Sequence, residues 1–263
     1  MSNTYKVEEY HISEIYNQEE KSACAREILG SLPDWFGNKE SLEEYVKGVQ
    51  EFPLWAALDE KGKYLGFFSV RIHYGHTGDI YVCGVRPECH HMGVGKALYE
   101  RTEHFFLRKG CKYAMVETLS DKVNYEPYEK TRLFYESMGF EPLLTLDEMW
   151  DKDNLCLIMV KPLSMQALAA GMNRRFPEGN EPYQIVTRLL EECGEVANEV
   201  NRLEGSGTKV QRRGEGTKKE LAGEIKDALN ALNQLCLYYG AHRELAQAID
   251  ESLQSLRREG YVG

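Results

Sequence analysis

Asp79-Ile80-Tyr81-Val82-Cys83-Gly84-Val85-Arg86-Pro87-Glu88-Cys89-His90-His91-Met92-Gly93-Val94-Gly95-Lys96-Ala97-Leu98 is the stretch around which the first two-thirds of the chain is organised. The β-branched and aromatic run Ile80 to Val85 predicts a buried strand, and Arg86-Pro87-Glu88 stops it because proline has no ladder donor. Gly93 and Gly95 then flank Val94 and lead into Lys96-Ala97-Leu98, the start of an amphipathic helix running to about Lys109. A strand, a glycine turn and a helix N-terminus bring free backbone N–H groups and the positive end of a helix to one point. That geometry suits an anion such as a diphosphate, although an ordinary strand-to-helix turn would read the same way.

The neighbouring residues narrow the choice. A second strand is predicted over Lys112 to Leu119, followed by a helix containing Phe134-Tyr135-Glu136-Ser137-Met138-Gly139-Phe140. With His90-x-x-Gly93-x-Gly95 upstream and Tyr135-x-x-x-Gly139-Phe140 downstream, residues 4–162 resemble the GNAT acetyltransferase superfamily. The resemblance implies that His90, His91, Met92, Gly93, Val94, Gly95 and Lys96 hold the pyrophosphate of acetyl-CoA, chiefly through backbone amides. It implies that N–H groups near Cys83 and Val85 polarise the thioester carbonyl, and that Tyr135 protonates the departing thiolate. Asp79 stands where many family members carry a glutamate general base, and is the candidate to accept the amine's proton. The chain departs from the family pattern at His90, where Arg or Gln is usual, and near Tyr128, where an asparagine is common. Cys83 and Cys89 lack the histidine and acid pattern of a covalent mechanism.

Around this centre, Tyr5 to Tyr10 predicts a first strand and Glu19 to Leu29 a helix ended by Gly30. Ser41-Leu42-Glu43-Glu44 reads as a capping box opening a second helix. Trp35 and Phe36, in the loop between these helices, are expected either to touch the acceptor or to pack locally. Leu54 to Leu58 and Tyr64 to His73 predict a hairpin turning at Glu60-Lys61-Gly62, and Glu141 to Leu146 with Leu155 to Val160 predict the last two strands. The expected first domain, residues 1–163, is a mixed-sheet α/β fold.

Beyond Lys161-Pro162-Leu163 the composition changes. Ser164 to Arg175, Glu181 to Glu204, Thr217 to Tyr239 and Arg243 to Glu259 all carry a 3.6-residue apolar period, which predicts an all-α bundle over residues 164–263. Its two long helices each bear acids three apart: Glu192 with Glu195, and Glu224 with Asp227. A solvated acidic face is the plain alternative. Against it, Glu192 and Glu224 occupy places in apolar stripes, Glu191, Glu195 and Glu199 repel at i, i+4, and the pattern occurs twice. Facing carboxylates make a hard oxygen site suited to Mg²⁺.

Here the chain resembles the MazG-like nucleoside triphosphate pyrophosphohydrolases, whose E-x-x-E and E-x-x-D pattern is met by Glu192, Glu195, Glu224 and Asp227. The resemblance implies that these four hold Mg²⁺, that Glu191 or Glu195 orients the attacking water, and that a nucleoside triphosphate is split to monophosphate and pyrophosphate. Lys209, Arg212, Arg213 and Lys218 are expected on the phosphates, and Asn230 on the base or sugar. It also implies a homo-oligomer through the C-terminal helices.

Composition bounds the partners. The 263 residues carry a formal charge of −10, with 19 basic and 27 acidic residues through Leu163 and 13 and 15 beyond it. This balance suggests no basic face of nucleic-acid type. Seven scattered cysteines without C-x-x-C pairs predict reduced thiols, and no run has the length of a membrane span. The expectation is a cytoplasmic bifunctional enzyme that acetylates a small amine with acetyl-CoA and hydrolyses a nucleoside triphosphate with Mg²⁺. The alternative is that one domain is catalytic and the other senses a ligand or mediates oligomerisation.

Overall fold

The structure, a computed structural model, describes residues 9–150, 153–206 and 214–262. Contacts divide the chain into two compact units, Met1–Leu163 and Ser164–Gly263.

The first unit is a seven-stranded sheet in the order β1-β2-β3-β4-β5-β7-β6, with β1 Tyr10–Ile15, β2 Leu54–Asp59, β3 Tyr64–His73, β4 Thr77–Val85, β5 Tyr113–Leu119, β6 Glu141–Leu146 and β7 Cys156–Pro162. Every neighbouring pair is antiparallel except β4 and β5. That exception follows from the crossover helix α3, Val94–Arg108, since a parallel pair needs a long connection. The mixed α/β expectation holds. The first strand, however, begins at Tyr10 rather than ending there, and residues 5–8 lie outside the described residues.

Helix α1, Gln18–Gly30, is capped by the Asn17 side chain. Helix α2, Lys39–Gly48, is capped by Asn38, which accepts from the amides of Glu40 and Ser41. The helix therefore starts two residues before the expected Ser41 box, because an asparagine oxygen was available earlier to satisfy orphan amides. The β2–β3 turn is fixed by the Asp59 carboxylate, which accepts from Lys61 N–H at 2.9 Å and Lys63 N–H at 2.8 Å. Helices α1 and α2 close a core of Ile28, Leu29, Val46, Leu54, Phe67 and Val82 over one face of the sheet. Phe106 of α3 lies against Gly78 on the sheet. Helix α4, Glu126–Ser137, precedes the Gly139 turn, whose φ of 87° only glycine adopts readily.

Two irregularities position the site. Strands β4 and β5 pair only from Thr77 to Ile80 against Tyr113 to Val116, and then part. On the other side of β4, Ser69 pairs with Val82 but Val70 with Ile80, so Tyr81 is the extra residue of a β-bulge. The bulge puts two consecutive side chains on one face: Tyr81 meets Tyr45 of α2 and Val82 joins the α1 core. Cys83 consequently points the other way, toward α4.

The second unit is helical: α5 Ser164–Arg175, α6 Pro182–Leu203, α7 Lys218–Tyr239 and α8 His242–Arg258. Reciprocal capping boxes start α6, at Glu181 with Gln184, and α7, at Thr217 with Glu220. Gly240 ends α7 in the left-handed conformation. Helices α6 and α7 pack together, with α5 against α7. Glu199 differs from its expected part in a repelling acidic row. It is buried and both its oxygens accept from Arg202 Nη1, at 2.7 and 2.8 Å.

Candidate functional site

In the first unit the chemistry gathers where β4 and β5 part. Arg86 N–H donates to Leu65 C=O at 2.8 Å, so the two-residue alternation of the ladder turns the amides of Val85 and Cys83 away from β3, into the gap. The Tyr135 hydroxyl lies 3.2 Å from Cys83 Sγ and is buried, its ring held edge-on by Phe134 and Phe140 at 5.4 and 5.6 Å. Burial, reinforced by the neighbouring Cys83, pushes the Tyr135 hydroxyl well above the usual phenol range, and burial pushes the Cys83 thiol up to about 11. Both therefore stay protonated at neutral pH, which makes Tyr135 a proton donor and Cys83 a poor nucleophile.

The glycine loop is built for an anion. His91 and Gly93 both take positive φ, 60° and 81°, and Gly93 is the N-cap of α3 without a side-chain cap. The first-turn amides are thus left uncapped for a ligand. A Cβ on Gly95 would come within 3.3 Å of Phe134, so the loop is packed as well as open. His90 does not take the place of a phosphate-binding arginine. Its Nε2 lies 2.8 Å from Val85 C=O and its ring meets Trp35 edge-on, bracing the loop against the end of β4. Lys96 is exposed and lies 3.8 Å from Glu100.

Asp79, the expected base, is buried and already engaged: Arg71 Nε donates to its Oδ2 at 2.6 Å, and His73 Nε2 lies 2.8 Å from the same oxygen. A carboxylate held this way gives up that pairing to take a proton. The group sequence reading missed is Glu117. It lies two residues beyond Met115, the β5 partner of Asp79, so both acids face the same side just where the strands separate. Burial, then the Asp79 charge, raises the Glu117 carboxyl above the usual carboxylate range, with Arg71 and His73 opposing. The signal was there: Glu117 is the single charged residue in Tyr113–Leu119.

The α1–α2 loop is strapped over this region. Trp35 Nε1 donates to Thr131 Oγ1 at 2.9 Å, and the hydroxyls of Tyr125 and Tyr128 donate to the carbonyls of Asp34 and Trp35 at 3.0 and 3.4 Å. Trp35 and Phe36 are partly buried against the α1–α2 core.

In the second unit, carboxylate oxygens of Glu192, Glu224 and Asp227 lie within 4.8 Å of one another. Burial first, then Asp227, Glu224 and Glu191, raise the Glu192 carboxyl. Glu195, expected as a fourth ligand, is not among these three. Glu191 is exposed, although its charge reaches Glu192. A cavity of about 330 Å³ opens beside the acids, walled by Phe176, Arg188, Asn230 and Gln234. Asn230 is buried and its Oδ1 lacks a hydrogen-bond partner among the described residues. Lys218 heads α7 and is exposed, whereas Lys209, Arg212 and Arg213 lie outside the described residues.

Residues 13–140 match the acetyltransferase (GNAT) family, so the first unit carries a GNAT acetyltransferase domain. The chain is 34% identical over 104 residues to mycothiol acetyltransferase of Arthrobacter sp. (strain FB24), a stretch covering 37% of this chain and 28% of that protein. It thus spans under a third of that relative's length. A GNAT-family acetyltransferase from Desulfovibrio desulfuricans has the same fold, with TM-score 0.52 and 17% identity over 59% of this chain and 99% of its own. The ribosomal-protein-S18-alanine N-acetyltransferase of Escherichia coli gives TM-score 0.48 at 17% identity, covering 59% of this chain and 95% of its own.

Proposed function

We propose that the GNAT domain of this chain transfers the acetyl group of acetyl-CoA to an amine, in the gap between β4 and β5. The observation that carries this reading is the parting of those strands after Ile80 and Val116, with the Cys83 and Val85 amides facing the gap and the Tyr135 hydroxyl at its wall. The uncapped α3 N-terminus and the left-handed His91 and Gly93 fit the diphosphate of the donor, which would supply an activated thioester. The Cys83 and Val85 amides would stabilise charge on the carbonyl oxygen. Glu117 would take one proton from the acceptor nitrogen and pass it to solvent. As the C–N bond forms and the C–S bond breaks, the electron pair leaves with sulfur, which takes a proton from Tyr135. The second nitrogen proton restores the phenol. Asp79, with Arg71 and His73, would hold the floor of the gap. The test is thiol release from acetyl-CoA, which should depend on added amine.

We propose for the second unit a Mg²⁺-dependent hydrolysis of a nucleoside triphosphate to monophosphate and pyrophosphate. The convergence of Glu192, Glu224 and Asp227 and the adjoining cavity support it. These three carboxylates suit a hard cation, which would neutralise phosphoryl oxygens. Glu191 or Glu195 would orient water, and Asn230 would meet the base or sugar. Lys218, with Lys209, Arg212 and Arg213, would meet the phosphates. Large exposed apolar side chains on α6 and α8, among them Tyr183, Leu190 and Ile249, support a homo-oligomer through these helices. Seven free thiols support a cytoplasmic setting; no described helix is long and apolar enough to cross a membrane. Pyrophosphate release from a panel of triphosphates, with Mg²⁺ and with chelator, should disappear on chelation and in Glu224→Gln.

A further inference from the structure

Where β4 and β5 part, the charge and the aromatic surface constrain what the acetyltransferase domain acetylates. Tyr81, thrust out by the bulge, is ringed by aromatic neighbours: its centroid lies 5.7 Å from Tyr45 and 4.8 Å from Phe52, and Phe36 stands 5.8 Å from Tyr45. Gly48 is required here, since a Cβ at that position would fall 2.1 Å from the Tyr81 hydroxyl oxygen. Tyr128 of α4 lies close enough to act on by charge from Tyr45, as does Glu117 on Tyr45. The three tyrosines are partly buried; the Tyr128 hydroxyl donates to Trp35 C=O, and Arg71 lies over one face of Tyr81.

The charges do not balance without a ligand. Asp79 and Glu117 are two carboxylates on one face. Arg71 is the guanidinium set against them: its Nε is bound to Asp79 and its Cζ lies 5.1 Å from the centre of the Tyr81 ring. His73 is bound to the same Asp79 oxygen. Among the described residues no ion pair or hydrogen bond engages Glu117. A half-buried carboxylate beside electron-rich ring faces attracts a cation through both. It also repels an anion, since two carboxylates stand against the single Arg71 guanidinium.

We propose that the acceptor is a primary amine that arrives as an ammonium ion and carries no carboxylate of its own, held between the Tyr45 and Tyr81 rings and Glu117. The inference rests on the acetyl-transfer reading above and names its substrate class. Glu117 takes the proton that converts the ammonium to the attacking amine. An α-amino acid would set its carboxylate against Glu117 and Asp79, a like-charge approach that should cost selectivity of about a hundredfold or more.

The experiment uses the full chain and pairs of substrates that differ only in the carboxylate: tyramine with tyrosine, histamine with histidine, cadaverine with lysine. Thiol release from acetyl-CoA gives kcat/KM for each, and calorimetry gives acetyl-CoA binding separately. Every pair that turns over should favour the decarboxylated member by about a hundredfold or more. In Glu117→Gln that preference should shrink to below about tenfold, and the acid limb of the wild-type pH profile should vanish, whereas a merely structural loss would lower both members alike. Equal or better turnover of the amino acids would overturn the inference, as would a chain that binds acetyl-CoA yet turns over no amine of the panel. Failure to bind acetyl-CoA would instead overturn the acetyl-transfer reading on which it stands.

Discussion

Replacing Tyr135 by phenylalanine isolates one oxygen atom. The ring is 3% exposed and wedged between Phe134 and Phe140, so phenylalanine fills the same space and the fold should persist. The lost contact is a weak one to Cys83 Sγ at 3.2 Å, worth less than about 1 kcal/mol of stability. Catalysis should respond far more strongly. A positioned acid is worth about a hundredfold to ten-thousandfold, and in a wall this dry no water replaces the hydroxyl, so we expect about a thousandfold loss of kcat, about 4 kcal/mol of barrier. Because burial holds the Tyr135 hydroxyl well above the ordinary phenol range, it does not titrate at neutral pH. The variant should therefore lower the pH–rate profile without changing its shape. The assay is thiol release from acetyl-CoA under saturating amine, with acetyl-CoA affinity measured alongside. A kcat within a few-fold of wild type, at unchanged affinity, would refute the assignment of Tyr135 as the acid.

Three further outcomes are expected. Glu117→Gln should raise the thermal midpoint at pH 7: the folded-state carboxyl is shifted up, so the folded chain binds more protons than the unfolded one and the ionised form is a net cost. Melting curves across pH should show the gap between variant and wild type closing as pH falls through that raised value. Asp79→Asn leaves Arg71 beside an uncharged partner and should cost about 3 kcal/mol in denaturant unfolding, the low end for a buried pair because Arg71 reaches solvent. Gly78→Ala sets a Cβ 2.4 Å from the fully buried Phe106 ring and should cost about 1–3 kcal/mol by the same measurement, with no change at the second unit's site.

The glycine loop and its flanking strand and helix were legible because Pro87, Gly93 and Gly95 each impose a local backbone requirement that needs no tertiary context. The mixed sheet and the helical second unit followed from the change of apolar period near Leu163. The β-bulge at Tyr81 was not legible: it exists only in relation to the register of β3, and it decides which way Cys83 and Tyr81 point. Asp79 reads as the acid that accepts the amine's proton because nothing local reveals that Arg71 and His73 of the adjacent strand bind its carboxylate. Glu117 was passed over for the complementary reason. A lone acid in a strand resembles a solvent-facing position until the parting of β4 and β5 places it on the wall of a gap. On α6, the three-residue spacing pairs Glu192 with Glu195 on one face, while among the described residues Glu192 groups with Glu224 and Asp227 of α7, since helix crossing selects among residues that spacing alone treats alike.

Calorimetric titration of acetyl-CoA into the full chain tests whether the β4–β5 gap and the α3 N-terminus hold the donor. Saturable binding of one acetyl-CoA per chain, displaced by free CoA, is the expected result. Absence of saturable binding would contradict it.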